Sequence, residues 1–107
     1  MFHTCLILTL KPGCLQAYRE AHDNLWPSIS RSMADNDVSM AIHHHEGHLI
    51  VLASAPDEAA WQRSRECPEL PEWNAAMSAL LETEANGNLA FQTPEQVFGF
   101  GEFGRKQ

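Results

Sequence analysis

The Glu46-Gly47 pair constrains this chain more than any other feature. It joins two strand-like runs, Val38 to His45 and His48 to Ala55, through only two residues, and a two-residue link with glycine second suits a type I′ turn. The two runs are therefore antiparallel neighbours in one sheet. The rest of the chain has to pack on that hairpin.

Upstream, Phe2 to Leu10 reads as a first strand, ended by the turn signal Lys11-Pro12-Gly13. A helix follows from about Cys14 to Met33, with a kink or a restart expected where Pro27 removes an N–H and clashes with the preceding turn. Downstream, Pro56-Asp57-Glu58 opens a helix that runs to about Arg65, since proline suits the first turn and acids there complement the helix dipole. Cys67 to Pro71 breaks it. A second segment starts at Pro71-Glu72, carries Trp73, Met77, Leu80 and Leu81 on one stripe, and ends at Asn86-Gly87-Asn88. Thr93-Pro94 then precedes a last strand, about Glu95 to Phe103. The order is β-α-β-β-α-β, the ferredoxin-like pattern of an α+β protein with an antiparallel sheet.

At 107 residues the expectation is a single domain over 1–107, long enough for a real core but short for an enzyme that encloses a substrate alone. Helices on one face of a four-stranded sheet leave the other face bare. Two sheets packed face to face would cover both, so the sequence predicts a homodimer, a dimeric α/β barrel.

Fourteen acidic residues against seven basic ones give a formal charge of -7, and the basic residues are scattered, so no nucleic acid partner is expected. No apolar run approaches the roughly 18 residues of a membrane helix. Phe2 to Leu10 is too short and lacks the basic flank of a signal peptide, so the reading is cytoplasmic, with no membrane partner. Cys5, Cys14 and Cys67 are an odd number without CxxC spacing, which fits free thiols in a reducing compartment. Of these, Cys5 reads as core and Cys67, before Pro68, as the most exposed.

The candidate site lies in the first helix. Tyr18, His22 and Trp26 recur every four residues, and at about 100° per residue each step drifts only about 40°, so phenol, imidazole and indole share one side. The apolar stripe of Leu15, Leu25, Ile29 and Met33 falls on that side too. A core-facing imidazole between aromatic walls is either a buried structural histidine or the centre of a site; a bend at Pro27 would redirect Trp26 but not Tyr18.

Other motifs carry less. In the run His43-His44-His45-Glu46-Gly47-His48, His43 and His45 share a strand face while His44 points the other way. A metal at His43, His45 and His48 is geometrically conceivable, but Glu46 is the only acid close by, and the favoured reading is solvated histidines with no metal. Gly99, Gly101 and Gly104 alternate with Phe98, Phe100 and Phe103 without the helix and Lys-Ser/Thr pair of a phosphate loop; they read as positions of close packing. Trp61 reads as core. Trp73 follows a proline-rich break, where side chains often line a pocket rim, and Asn74 beside it offers donors and an acceptor to a ligand.

Taken together these residues resemble the L-rhamnose mutarotases. The resemblance covers nearly the whole chain: the Pro12 turn, Tyr18-x3-His22-x3-Trp26-Pro27, the Ala41-Ile42 strand, Trp61, Trp73 twelve residues later, and Glu95-Gln96-Val97-Phe98. It implies a ferredoxin-like fold, a face-to-face dimer, and cofactor-free interconversion of the α and β anomers of a free sugar. It further implies that His22 is the proton donor, that Tyr18 binds sugar, and that Trp73 is the first of two adjacent pocket tryptophans. Two positions depart from the family: its pocket tyrosine on the second strand falls at Met40, and its second tryptophan at Asn74. The shell that reads sugar hydroxyls is therefore altered.

The chemistry suits the residues. Mutarotation needs a proton delivered to the ring oxygen while one leaves the anomeric hydroxyl, and imidazole gives and takes protons near neutrality. Tyr18 is placed to bind the sugar or orient the imidazole, Trp73 to stack on the sugar, and Trp26 to wall the pocket. Two rival readings share the fold: a small dimeric monooxygenase, including haem-degrading kinds, and a non-catalytic ligand-binding dimer.

Overall fold

The hairpin anchors the observed sheet. In the computed structural model, which describes residues 1–104, β1 (Phe2–Thr9), β2 (Ser39–His45) and β3 (His48–Ala55) pair antiparallel, with β3 between the other two. Glu46 and Gly47 both adopt positive φ, 49° and 83°, which is what a type I′ turn demands and why glycine holds the second place. The β1–β3 ladder runs without a break from Phe2 opposite Ala55 to Thr9 opposite His48. Along β3 the side chains alternate: Leu49, Val51, Ala53 and Ala55 are buried against the helices, while His48 and Leu52 are exposed on the opposite face.

The long first helix divides in two. The first piece, α1, spans Leu15–Asp23, and a restart at Pro27 gives α2 (Pro27–Asp35). The residue before a proline is pushed out of the helical region, and Trp26 is extended at φ -60°, ψ 132°, with Pro27 at the first helical position where its missing N–H is harmless. Beyond the hairpin, Asp57 caps α3 (Glu58–Ser64) by accepting from the Ala60 backbone N–H at 2.8 Å. The last helix, α4, spans Leu70–Met77 and packs Trp73 and Met77 into the core.

Two expected elements end or lie elsewhere. The segment predicted to stay helical toward Asn86 stops at Met77, because the chain that follows is captured by the end of β1. Lys11 N–H donates to the Leu80 carbonyl, Glu82 N–H donates to the Thr9 carbonyl (both 2.9 Å), and Lys11 Nζ donates to the Ser78 carbonyl at 3.0 Å. Leu81 is thereby buried, 1% exposed, opposite Leu10. The last strand is not Glu95 to Phe103 but β4 (Phe91–Gln92), which pairs with Leu8 and Ile7 and gives the order β2-β3-β1-β4.

Residues 95 to 103 fold back on themselves instead. The Gln96 side-chain amide donates to the carbonyls of Phe98 (3.2 Å) and Phe103 (2.8 Å), and Gly101 to Phe103 form a short 3₁₀ turn begun at φ 64°. A Cβ on Gly99 would collide with the Phe103 carbonyl and the Gln96 amide, so the close approach expected of these glycines is local. The antiparallel α+β architecture stands as expected.

Two further expectations change. Cys67 is buried in the core among Leu10, Trp73 and Met77, because the chain turns inward before Pro68. Cys5 and Trp61 are only half-buried; Trp61 stacks on Phe2 at 6.0 Å and carries the Arg65 guanidinium 4.8 Å above its ring.

Candidate active site

Helical spacing brings Tyr18 and His22 onto the inner side of α1, one turn apart, with Tyr18 6% exposed and His22 half-buried. Their rings stack at 4.2 Å between centroids and 27° between planes. Across from them α4 delivers Trp73, 7% exposed, whose ring meets His22 edge to face at 5.2 Å and 81°. Trp26, redirected by the break before Pro27, reaches the group through Trp73 at 5.3 Å and 83°. Such aromatic pairs are worth about 0.5–1.5 kcal/mol each beyond burial, so the imidazole sits in a braced position.

Its tautomer is fixed as well. His22 Nδ1 lies 2.9 Å from the Tyr18 carbonyl oxygen. A carbonyl only accepts, so Nδ1 carries the proton and donates, and in the neutral ring the lone pair belongs to Nε2. Burial pushes the Tyr18 phenol from its ordinary 10.0 up to about 12, so it is a neutral hydroxyl at any physiological pH and not a base.

Beside these rings lies a cavity of about 190 Å³ between α1 and the sheet. Tyr18, Arg19, His22 and Asp23 line it from α1, and Ile42 and His44 from β2. Sequence reasoning missed Arg19 and His44, and Asp23 lines the cavity from an exposed position. Their signal was present in the periodicities: Arg19 and Asp23 are one helical turn apart, and His44 shares strand parity with Ile42, opposite Leu49 in the ladder.

Two expected site residues do not line this cavity. Met40 lies opposite Ala53 in the ladder, with the strand parity of Ile42 and His44, and also borders a larger cavity of about 500 Å³ that Pro94, Gln96 and Phe98 of the C-terminal segment help to line. Asn74 is exposed on α4, turned away from the core that its neighbour Trp73 enters. In the histidine run, His48 Nδ1 is 3.3 Å from Thr9 Oγ1, and His45 lies 3.6 Å from Glu46 with both side chains exposed. Among the described residues no group of three His, Cys, Asp or Glu side chains is arranged to hold a metal ion.

The family model for L-rhamnose mutarotase matches residues 3–100 of this chain. A curated relative, the L-rhamnose mutarotase of Jannaschia sp., is 27% identical over 79 residues, which are 71% of this chain and 76% of that protein. Among solved structures, an L-rhamnose mutarotase from Formosa agariphila superposes with a TM-score of 0.77 at 23% identity, covering 94% of this chain and 100% of that one. A protein from Mycobacterium tuberculosis superposes with a TM-score of 0.62 at 16% identity, over 92% of this chain and 97% of that one. At these identities the two structures speak to the fold.

Proposed function

Because the chain belongs to the L-rhamnose mutarotase family of carbohydrate isomerases, we propose that it interconverts the α and β anomers of a free deoxy sugar such as L-rhamnose, with His22 as general acid/base and no cofactor. The observation that carries this reading is the His22 ring. It is held at Nδ1 by the Tyr18 carbonyl and braced by Trp73, which leaves Nε2 as the nitrogen able to exchange a proton beside the cavity.

In the ring-opening step, Nε2–H of the imidazolium passes its proton to the ring oxygen and the anomeric hydroxyl gives its proton to water. The bond between the anomeric carbon and the ring oxygen breaks, with its electron pair going to oxygen, and the C=O of the aldehyde forms. Rotation about the adjacent C–C bond and reclosure on the other face return the ring-oxygen proton to Nε2, while water gives a proton back to the carbonyl oxygen, which becomes the new anomeric hydroxyl. General catalysis of this kind typically contributes about 10²–10⁴-fold, enough for a reaction that already proceeds in water.

Tyr18, kept neutral by burial, supplies a hydroxyl to the sugar. Trp73 braces the imidazole edge to face, and Trp26 backs Trp73. Met40 stands where the resemblance places a pocket tyrosine, on the strand face of Ile42 and His44, so that hydroxyl is missing from the shell around the sugar, while the exposed Asn74 puts no aromatic ring in the second tryptophan's place.

The functional unit in this reading is a homodimer of one-domain subunits. The open sheet face carries Leu52, 43% exposed, together with Phe98 and Phe103 of the C-terminal segment, and a second copy would cover it. No helix among the described residues is long and apolar enough to cross a membrane, and three free thiols suit a reducing compartment, so we place the protein in the cytoplasm.

The family match over residues 3–100 favours mutarotation over the monooxygenase and the non-catalytic dimer. Saturation-transfer NMR on L-rhamnose, L-fucose and related sugars tests it. Anomer exchange is expected to accelerate on at least one of them; exchange at the buffer rate on all would refute the proposal.

A further inference from the structure

His44 lines the same cavity as His22, yet it comes from β2 and not from α1. Its ring is fixed by the hairpin turn: the Gly47 backbone N–H lies 3.1 Å from His44 Nε2. A backbone N–H only donates, so Nε2 accepts, and the ring's proton is on Nδ1. The two imidazoles of the cavity are thus held in opposite tautomers. The Tyr18 carbonyl fixes His22 with Nδ1 protonated and Nε2 uncommitted, whereas the Gly47 amide fixes His44 with Nε2 committed and the Nδ1–H free of any protein partner among the described residues.

A sugar undergoing ring opening presents both a hydroxyl that gives up a proton and oxygens that only accept. The Nε2 of His22 serves the proton transfer at the ring oxygen, and the uncommitted N–H of His44 on the facing wall of the cavity is left for another sugar oxygen. The hairpin is also a rigid mount, since His44 pairs with Leu49 in the ladder two residues before the turn that holds its ring.

Building on the mutarotase reading, we propose that His44 is a sugar-contacting residue of this site, donating from Nδ1–H to a sugar oxygen across the cavity from His22. Its Nε2 keeps accepting from the Gly47 amide in this role, so the N–H offered to the sugar is the one on Nδ1. It positions the sugar, while His22 moves the proton.

The alternative is that the ring merely caps the turn, and two substitutions with opposite geometry separate the ideas. His44→Gln places a carbonyl oxygen near the former Nε2, keeping an acceptor for Gly47 while removing the cavity donor. His44→Asn places an amide N–H near the former Nδ1, keeping the donor while losing the turn bond. With exchange on L-rhamnose followed by saturation-transfer NMR against sugar concentration, His44→Gln is expected to raise KM about tenfold with kcat changed less, and His44→Asn to stay within about threefold of wild type. A wild-type KM in His44→Gln, or equal losses in both variants with a lowered melting temperature, would overturn the role of His44 and leave the mutarotase reading standing. A wild type that accelerates no sugar overturns both.

Discussion

Tyr18 shows how burial alone decides what a side chain can do here. Its phenol titrates near 10.0 in the unfolded chain and near 12 when folded, so the folded state holds the proton more tightly. Below pH 10 both states are protonated and Tyr18 adds no pH dependence; from pH 10 toward 12 the unfolded state ionises first and stability falls. Two units amount to at most about 2.7 kcal/mol at roughly 1.36 kcal/mol per unit. Denaturant melts at pH 9 and pH 11 should therefore show a larger loss for wild type than for Tyr18→Phe, and equal losses would show that the phenol is not desolvated. Trp73 braces the same imidazole from the core, and Trp73→Ala should destabilise by about 3–5 kcal/mol in urea melts, as truncation of buried aromatics does. A loss under about 1 kcal/mol would mean that the indole is not packed as described. The Tyr18-to-His22 contact was legible from helical spacing, whereas burial of Cys67 was not, since a cysteine before proline gives no sign of which way the chain will turn.

At the scale of elements, local chemistry governs wherever it goes uncontested. The hairpin bounds, the Asp57 cap and the restart at Pro27 followed from turn, capping and proline rules acting within a few residues. Glu46 pays for its left-handed place in the turn, so Glu46→Asn, which suits φ 49° better, should raise stability by roughly 0.5–1 kcal/mol, and a lower melting temperature in that variant would contradict the turn assignment. Nonlocal pairing decides the rest. The α4 segment ends early because β1 captures the backbone of Leu80 and Glu82, and no periodicity in those residues announces it. The Phe-Gly alternation after Pro94 imitates a strand, but the Gln96 amide satisfies carbonyls that a ladder would have taken. His44 was read only as pointing away from His43 and His45, and its place at the cavity went unseen because the opposite wall is built by α1, more than twenty residues away in sequence.

The whole molecule is a sheet with one face closed by helices and the Tyr18, His22 and Trp73 rings, and one face still offering apolar surface around Leu52. In the proposed homodimer Leu52→Lys sets a charge against that interface, so sedimentation should report a dimer for wild type and a shift toward monomer in the variant; a wild type that sediments as a monomer would remove the dimer from the account. The family places this chain among sugar isomerases, and the proposed chemistry rests on one imidazole. The most direct test is saturation-transfer exchange on L-rhamnose with wild type and His22→Ala side by side, with folding of both checked by circular dichroism. The account predicts exchange well above the buffer rate for wild type, and a loss of about 10²–10⁴-fold in the catalysed rate for His22→Ala. A folded His22→Ala that exchanges anomers as fast as wild type would contradict it.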